Sequence, residues 1–241
     1  VKKIANQRSY LIVFICLYWW CAGLCLASSE ISEPLYFDTL DDEDGLSQAT
    51  VTNIVQDRKG FIWFGTDEGL NRYDGYNIKV YRHRVAEQQS LSHSNINSLF
   101  IDIDGNLWVA TESGLDLYDP YADAFTRIYN QATKPEYASA NVGVIYQTYD
   151  RVIWLGTGKG LVSFTYDDKA DNNQDFSFIP LRTTTVSLVE DNTGRLWVGG
   201  YRGLFWFDTK LRQFNKPVLP GMDKSKINGL LAIKQDLWVA S

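Results

Sequence analysis

Five tryptophans divide most of this chain into near-equal lengths. Trp63, Trp108, Trp154 and Trp197 follow one another at 45, 46 and 43 residues, and Trp238 comes 41 later. The first four share a frame: Ile62-Trp63-Phe64-Gly65-Thr66, Leu107-Trp108-Val109-Ala110-Thr111, Ile153-Trp154-Leu155-Gly156-Thr157 and Leu196-Trp197-Val198-Gly199-Gly200. Six residues past each of these Trp comes a Gly-Leu pair (Gly69, Gly114, Gly160 and Gly203 with the leucine after each), and ten past it an aromatic ring (Tyr73, Tyr118, Phe164, Phe207). Asp-x-x-Gly segments precede three of the four, at 57–60, 102–105 and 191–194, whereas the third repeat has Tyr149-Asp150-Arg151 instead. Self-similarity held in register over such a period marks a repeat architecture, in which no unit buries its apolar surface alone.

Each repeat reads as four short strands. The first spans 51–56, with counterparts starting at Ile96, Val142 and Thr185. The Asp-x-x-Gly segment then reverses the chain, Asp bonding its own backbone and Gly accepting positive φ. The second strand carries the Trp, and its alternation sets Ile62 and Phe64 on the face opposite Trp63. A Gly-containing turn leads to the third strand, at 70–73 in the first repeat, and a looser fourth strand falls near Val80-Tyr81, 125–129, 176–179 and Phe214. No stretch has capped helical periodicity. The expectation is an all-β chain, a β-propeller of four-stranded blades comprising four repeats and the start of a fifth, with repeats near 46–90, 91–136, 137–181, 182–224 and 225–241. In this reading the Trp rings fill the wedges between blades, and the glycine two residues after Trp lets a neighbouring backbone or ring approach closely. Four and a half blades leave a ring unclosed, so a truncated product, a pseudogene fragment or an incompletely read sequence is expected.

The first 27 residues differ in character. They hold Lys2, Lys3 and Arg8, no acid, then an apolar run over 11–27 that contains all three cysteines and ends in Leu26-Ala27-Ser28-Ser29. This layout predicts a secretory signal peptide at 1–27, with an uncleaved anchor as the alternative, and therefore a periplasmic domain at 28–241. Removing the signal takes the net charge from −6 to −9 and leaves no cysteine, hence neither a disulfide framework nor a thiolate nucleophile. The acidic balance argues against a nucleic-acid partner.

Little sequence chemistry points to catalysis. Only His83 and His93 are present, both outside the repeat frame, so zinc or any other cofactor is not expected. The Asp-rich turns lack the ligand spacing of a calcium loop, and Gly156-Thr157-Gly158-Lys159-Gly160 has no helix after it to cradle a phosphate. What varies against the constant frame is the tips of the turns between second and third strands: Asp67-Glu68, Glu112-Ser113, Lys159 and Tyr201-Arg202. The loops leading into the first strands, at 92–95 and 182–184, gather on the same face of a propeller. Asp67, Glu68, Glu112, Lys159, Tyr201 and Arg202 are therefore the candidate ligand-binding residues, with an ordinary solvated loop as the alternative. Tyr201 with Arg202 suits stacking on a sugar or bonding a carboxylate.

The run Asp44-Gly45-Leu46-Ser47, Val51-Thr52-Asn53-Ile54, Gln56-Asp57, Gly60-Phe61-Ile62-Trp63-Phe64-Gly65-Thr66 and Gly69-Leu70-Asn71-Arg72-Tyr73-Asp74-Gly75 resembles the opening repeat of the two-component regulator propeller family, and weaker versions follow. Departures are Ala110 for glycine, the altered third turn and Gly200 for threonine. The resemblance implies two periplasmic propellers and a β-sandwich, joined through a membrane helix to a cytoplasmic histidine kinase or GGDEF output. Gut relatives sense oligosaccharides released from glycans. The function expected is thus a ligand-sensing propeller of a transmembrane receptor, binding a small molecule or oligosaccharide. Alternatives are a protein-interaction or dimerisation scaffold, in which a homodimer stays open, and an exported lyase or hydrolase using Glu68 and Glu112 as an acid–base pair. The chain itself is not expected to be an enzyme.

Overall fold

The computed structural model describes residues 39–129, 141–169, 174–209, 211–217 and 225–241. The expected signal peptide and the three cysteines lie outside them, and the blades belong to the unit Leu40–Ser241.

Every described element is a strand. The first blade is β1 (Val51–Gln56), β2 (Ile62–Thr66), β3 (Gly69–Tyr73) and β4 (Ile78–Tyr81); the second is β5 (Ile96–Ile101), β6 (Leu107–Thr111), β7 (Gly114–Asp119) and β8 (Ala124–Tyr129). The third is β9 (Val142–Gln147), β10 (Val152–Thr157), β11 (Gly160–Thr165) and β12 (Ser177–Pro180); the fourth is β13 (Thr185–Glu190), β14 (Leu196–Gly200), β15 (Gly203–Asp208) and β16 (Gln213–Asn215). Each forms one antiparallel meander, and β17 (Gly229–Ile233) pairs with β18 (Asp236–Ala240) in a two-stranded sheet. The third strands begin at the glycine, one residue earlier than the sequence suggests, because Thr66 pairs with Gly69 across the two-residue turn.

First strands of successive blades are neighbours: β1 lies beside β5, β5 beside β9, β9 beside β13 and β13 beside β17. Side chains stitch them, Asn53 Nδ2 donating to Asn97 O at 2.8 Å and Asn97 Nδ2 to Val142 O at 3.0 Å. All four first strands carry a register shift near their start, a recurring bulge that twists the strand as blades fan out.

Three of the five repeat tryptophans fill wedges between blades. Trp63 packs with Leu91, Ile96, Leu107 and Val109 of the second blade, Trp108 with Val142, Ile153 and Phe164 of the third, and Trp154 with Leu188, Val198 and Phe207 of the fourth. Burying a side chain of this size contributes about 3 kcal/mol. Trp238, on the two-stranded sheet, is 64% exposed.

The glycine two residues after Trp makes room for the next blade's first strand or the segment leading into β17. A Cβ on Gly65 would stand 2.8 Å from Ile96 Cγ2, on Gly156 2.7 Å from Thr185 Cγ2 and on Gly199 2.6 Å from Ile227 Cγ2. The close approach is thus by a β-branched side chain, rather than the backbone or ring expected. Ala110 occupies this position in the second blade, within the same apolar cluster as Val142.

Candidate functional site

The turns between second and third strands are built on a shared hydroxyl device. Thr66, Thr111 and Thr157 close their second strands, and each Oγ1 donates to the carbonyl of the glycine opening the third (Gly69 at 3.0 Å, Gly114 at 3.2 Å, Gly160 at 2.9 Å). The same oxygen accepts from the turn amide of Glu68, Ser113 or Lys159. In the first two blades the loop leading into the first strand joins this network. Ser47 Oγ lies 2.7 Å from Thr66 Oγ1, and Ser92 Oγ 2.7 Å from Thr111 Oγ1. In sequence, Gly200 for threonine is a departure from the frame. In the fold Thr183, from the preceding loop, takes over by accepting from Arg202 N at 3.1 Å, and a Cβ at Gly200 would crowd its Oγ1.

This scaffold presents the six candidate residues at one end of the blades. Asp67 and Glu68 share one exposed turn, where Asp67 N donates to Gln48 Oε1 and Arg82 Nε donates to Glu68 O. Glu112 accepts from Asn95 Nδ2 at 3.4 Å and sits 4.0 Å from His93 Nδ1. Lys159 is exposed, its carbonyl accepting from Leu181 N. Tyr201 is 52% exposed and carries Lys226 Nζ 4.9 Å from its ring centroid. The turns are thereby tied to the loops at 92–95 and 182–184. Among the described residues no hydrogen bond, ion pair or ring contact joins candidates from different blades. Among the described residues, too, no cluster of three or more His, Cys, Asp and Glu could hold a metal ion, and no helix is long and apolar enough to cross a membrane.

Beneath the Glu112 turn lies a group that sequence reasoning missed. Asp116 on β7 is fully buried; its Oδ2 accepts from Ser92 N at 2.7 Å and Ser92 Oγ at 2.8 Å, while its Oδ1 has no partner. Burial pushes its carboxyl up to about 6, against the opposing pull of the Ser92 bonds and the charges of Arg127 and His83. The equivalent residue in the first blade is Asn71, whose Oδ1 accepts from Ser47 N and whose Nδ2 donates to Ser47 Oγ, both at 2.8 Å.

A second unexpected cluster ties the first two blades together at the other end of the strands. Asp123, in the turn between β7 and β8, accepts from Tyr81 Oη at 2.6 Å and Tyr118 Oη at 2.7 Å, and pairs with Lys79 and with Arg72. Burial alone would raise its carboxyl, but the bonds from Lys79, Tyr81 and Tyr118 outweigh it and hold the group well below the usual range. Arg72 was legible as an anomaly, since the same frame position holds Leu117, Ser163 and Trp206 in the other blades.

Known proteins share both the repeat and the fold. The family model for the two component regulator propeller matches residues 45–68 and 90–113. The chain carries two-component regulator propeller repeats. The matched segments run from the loop before each first strand to the Thr-closed turn, and so span both the Trp frame and the hydroxyl device. Histidine kinase P4 of Formosa agariphila is 43% identical over 51 residues, which are 21% of this chain and 4% of that protein. Among solved structures, the extracellular domain of the hybrid two component system BT3049 of B. thetaiotaomicron is similar at a TM-score of 0.60 and 22% identity, over 86% of this chain and 34% of that one. Virginiamycin B lyase from Staphylococcus aureus is similar at a TM-score of 0.62 and 13% identity, over 81% of this chain and 64% of that one. At these identities the structural likenesses establish the propeller fold alone, which serves both kinds of protein. The chain spans a small part of the kinase and about a third of the BT3049 domain.

Proposed function

We propose that this chain is the ligand-recognising part of an exported sensor propeller in a signalling receptor, and that it binds rather than catalyses. One observation carries the reading: threonine hydroxyls, closing the second strand in the first three blades and supplied by Thr183 in the fourth, hold turn tips that differ in every blade, acidic in the first, Glu-Ser in the second, Lys159 in the third and Tyr201-Arg202 in the fourth. A constant frame with variable polar tips is how a propeller builds recognition. The match to two-component regulator propeller repeats and to a histidine kinase supports a sensing role, and the extracellular origin of the similar BT3049 domain supports export.

Tyr201 and Arg202 are the anchors in this proposal. An exposed ring can stack on the apolar face of a sugar, and a guanidinium can bond its hydroxyl or carboxylate groups. Thermal unfolding of the chain against a panel of neutral and acidic oligosaccharides tests it. A saturable upward shift in melting temperature with one class supports recognition; no shift with any saccharide favours a protein-interaction scaffold. Turnover of a saccharide that is abolished by Glu112→Gln would replace the proposal with an enzyme.

A further inference from the structure

We propose that a cavity between the first two blades, at the end of the strands opposite the Tyr201 turn, binds a small organic anion: a carboxylate or sulfate group carried on a compact apolar body. The cavity has a volume of about 140 Å³. Phe61, Leu107, Tyr118 and Pro120 supply apolar and aromatic wall, and Arg58, Lys59 and Arg72 bring three positive charges to it. The carboxylate that also lines it, Asp57, is already engaged. Its Oδ1 accepts from Lys59 N at 2.9 Å and Phe61 N at 3.0 Å, and its Oδ2 from Trp63 Nε1 at 2.9 Å.

Arg72 is the organising group. Its guanidinium carbon lies 4.9 Å from the Phe61 ring centroid and 5.7 Å from that of Trp63, while Nη1 donates to Tyr118 Oη at 2.9 Å and reaches Asp123 at 3.4 Å. Among the described residues Nε and Nη2 make no hydrogen bond. A guanidinium fixed by rings on its face and by one nitrogen at its edge keeps its remaining donors in a set plane, the arrangement that suits a carboxylate or sulfate oxygen pair. Asp123 does not cancel the field, because Lys79 pairs with it as well.

The repeat frame does not call for these cations, although Arg58 Nη2 donates to Ile103 O and Arg72 joins the Asp123 cluster between the first two blades. The turn residues matching Arg58 and Lys59 are Ile103-Asp104 in the second blade and Asn192-Thr193 in the fourth, and no other blade has arginine at the place of Arg72. Three cations therefore meet at one junction between blades, beside apolar wall, where the repeat frame itself asks for none.

Calorimetric titration of the chain at constant ionic strength tests the site, with benzoate, inorganic sulfate and benzyl alcohol as probes. Benzoate is expected to bind saturably with a dissociation constant of about 1 mM or below, sulfate about tenfold more weakly, and benzyl alcohol not measurably. Arg72→Gln is expected to weaken benzoate about tenfold and Lys59→Gln, on an exposed turn, about threefold. Should Arg72→Gln fail to fold, Lys59→Gln decides. Absence of saturable benzoate binding overturns the proposal, as does binding that neither substitution changes. Sulfate binding as tightly as benzoate would overturn the apolar half of it. The site is on the other face from Tyr201, so its failure leaves the recognition reading above untouched.

Discussion

Trp108 Nε1 donates a 2.8 Å hydrogen bond to Asp102 Oδ2, six residues earlier, across the turn that joins β5 to β6. The same aspartate holds that turn through Oδ1, which accepts from Asp104 N and Asn106 N. One carboxylate thus fixes both the chain reversal and the ring that fills the wedge toward the next blade. The pairing recurs as Trp63 with Asp57 at 2.9 Å and Trp197 with Asp191 at 2.7 Å. In the third blade Thr148 replaces the aspartate, its bond to Trp154 lengthens to 3.3 Å, and Arg151 occupies the left-handed region at φ 69° where the other turns have glycine.

Asp102→Ala is therefore expected to cost about 2–4 kcal/mol, because it leaves the buried Trp108 N–H unpaired and releases the turn amides together. Equilibrium unfolding in urea measures it. Thr148→Ala, which removes a weaker bond, is expected to cost about half as much or less.

Asp116→Asn is expected to stabilise the protein at neutral pH. Asparagine at the matching position 71 both accepts from and donates to its serine, whereas an ionised Asp116 can only accept. The raised carboxyl fixes the sign. Its favourable contribution is complete below the ordinary aspartate value of 3.8 and is lost as pH rises through about 6. Arg127 and His83 are the charged groups that act on it. The variant should gain about 1–3 kcal/mol at pH 7.5 and lose this slope between pH 4 and 7, measured by denaturant unfolding at several pH values.

Asp123 acts in the opposite direction. Its carboxyl is depressed, so its contribution is complete above 3.8 and is lost as pH falls through the acid range. Asp123→Ala is expected to cost about 1–2 kcal/mol at pH 7, a modest figure because the group is partly exposed to solvent. The difference from the parent protein should shrink on acidification. Unfolding measured at neutral and at strongly acid pH checks both statements.

Gly199→Ala is expected to cost about 1–3 kcal/mol by overpacking against Ile227, and Gly199→Ala combined with Ile227→Ala should recover part of that loss relative to Ile227→Ala alone. A double-mutant cycle in thermal unfolding reads the coupling.

How much of this was legible depended on whether a contact stays inside the repeat. The Trp frame and the turn glycines recur in sequence because every blade needs the same wedge and the same reversal, and they placed the strands within a residue or two. Asp57 and Trp63 were both visible, yet their bond was not, since only the folded turn brings residues six apart face to face. Asp123 lay deeper still. Its partners Arg72, Lys79 and Tyr81 belong to the previous blade, and a contact between blades has no signature at fixed spacing. The loss of threonine at Gly200 looked like a gap in the frame because its replacement, Thr183, enters from outside the second strand. At the turns between second and third strands the sequence located the tips, and the hydroxyl network that carries them emerged only from the geometry.

Recognition requires that the tips read a ligand while the scaffold merely holds them. The decisive experiment is calorimetric titration of the saccharide giving the largest thermal shift into the parent chain and the Tyr201→Ala/Arg202→Ala variant, with melting temperatures recorded for both. Binding at least tenfold weaker, roughly 1.4 kcal/mol or more, is expected at a nearly unchanged melting temperature. Binding that survives the double substitution intact, or a chain that no saccharide shifts, would refute recognition by these tips.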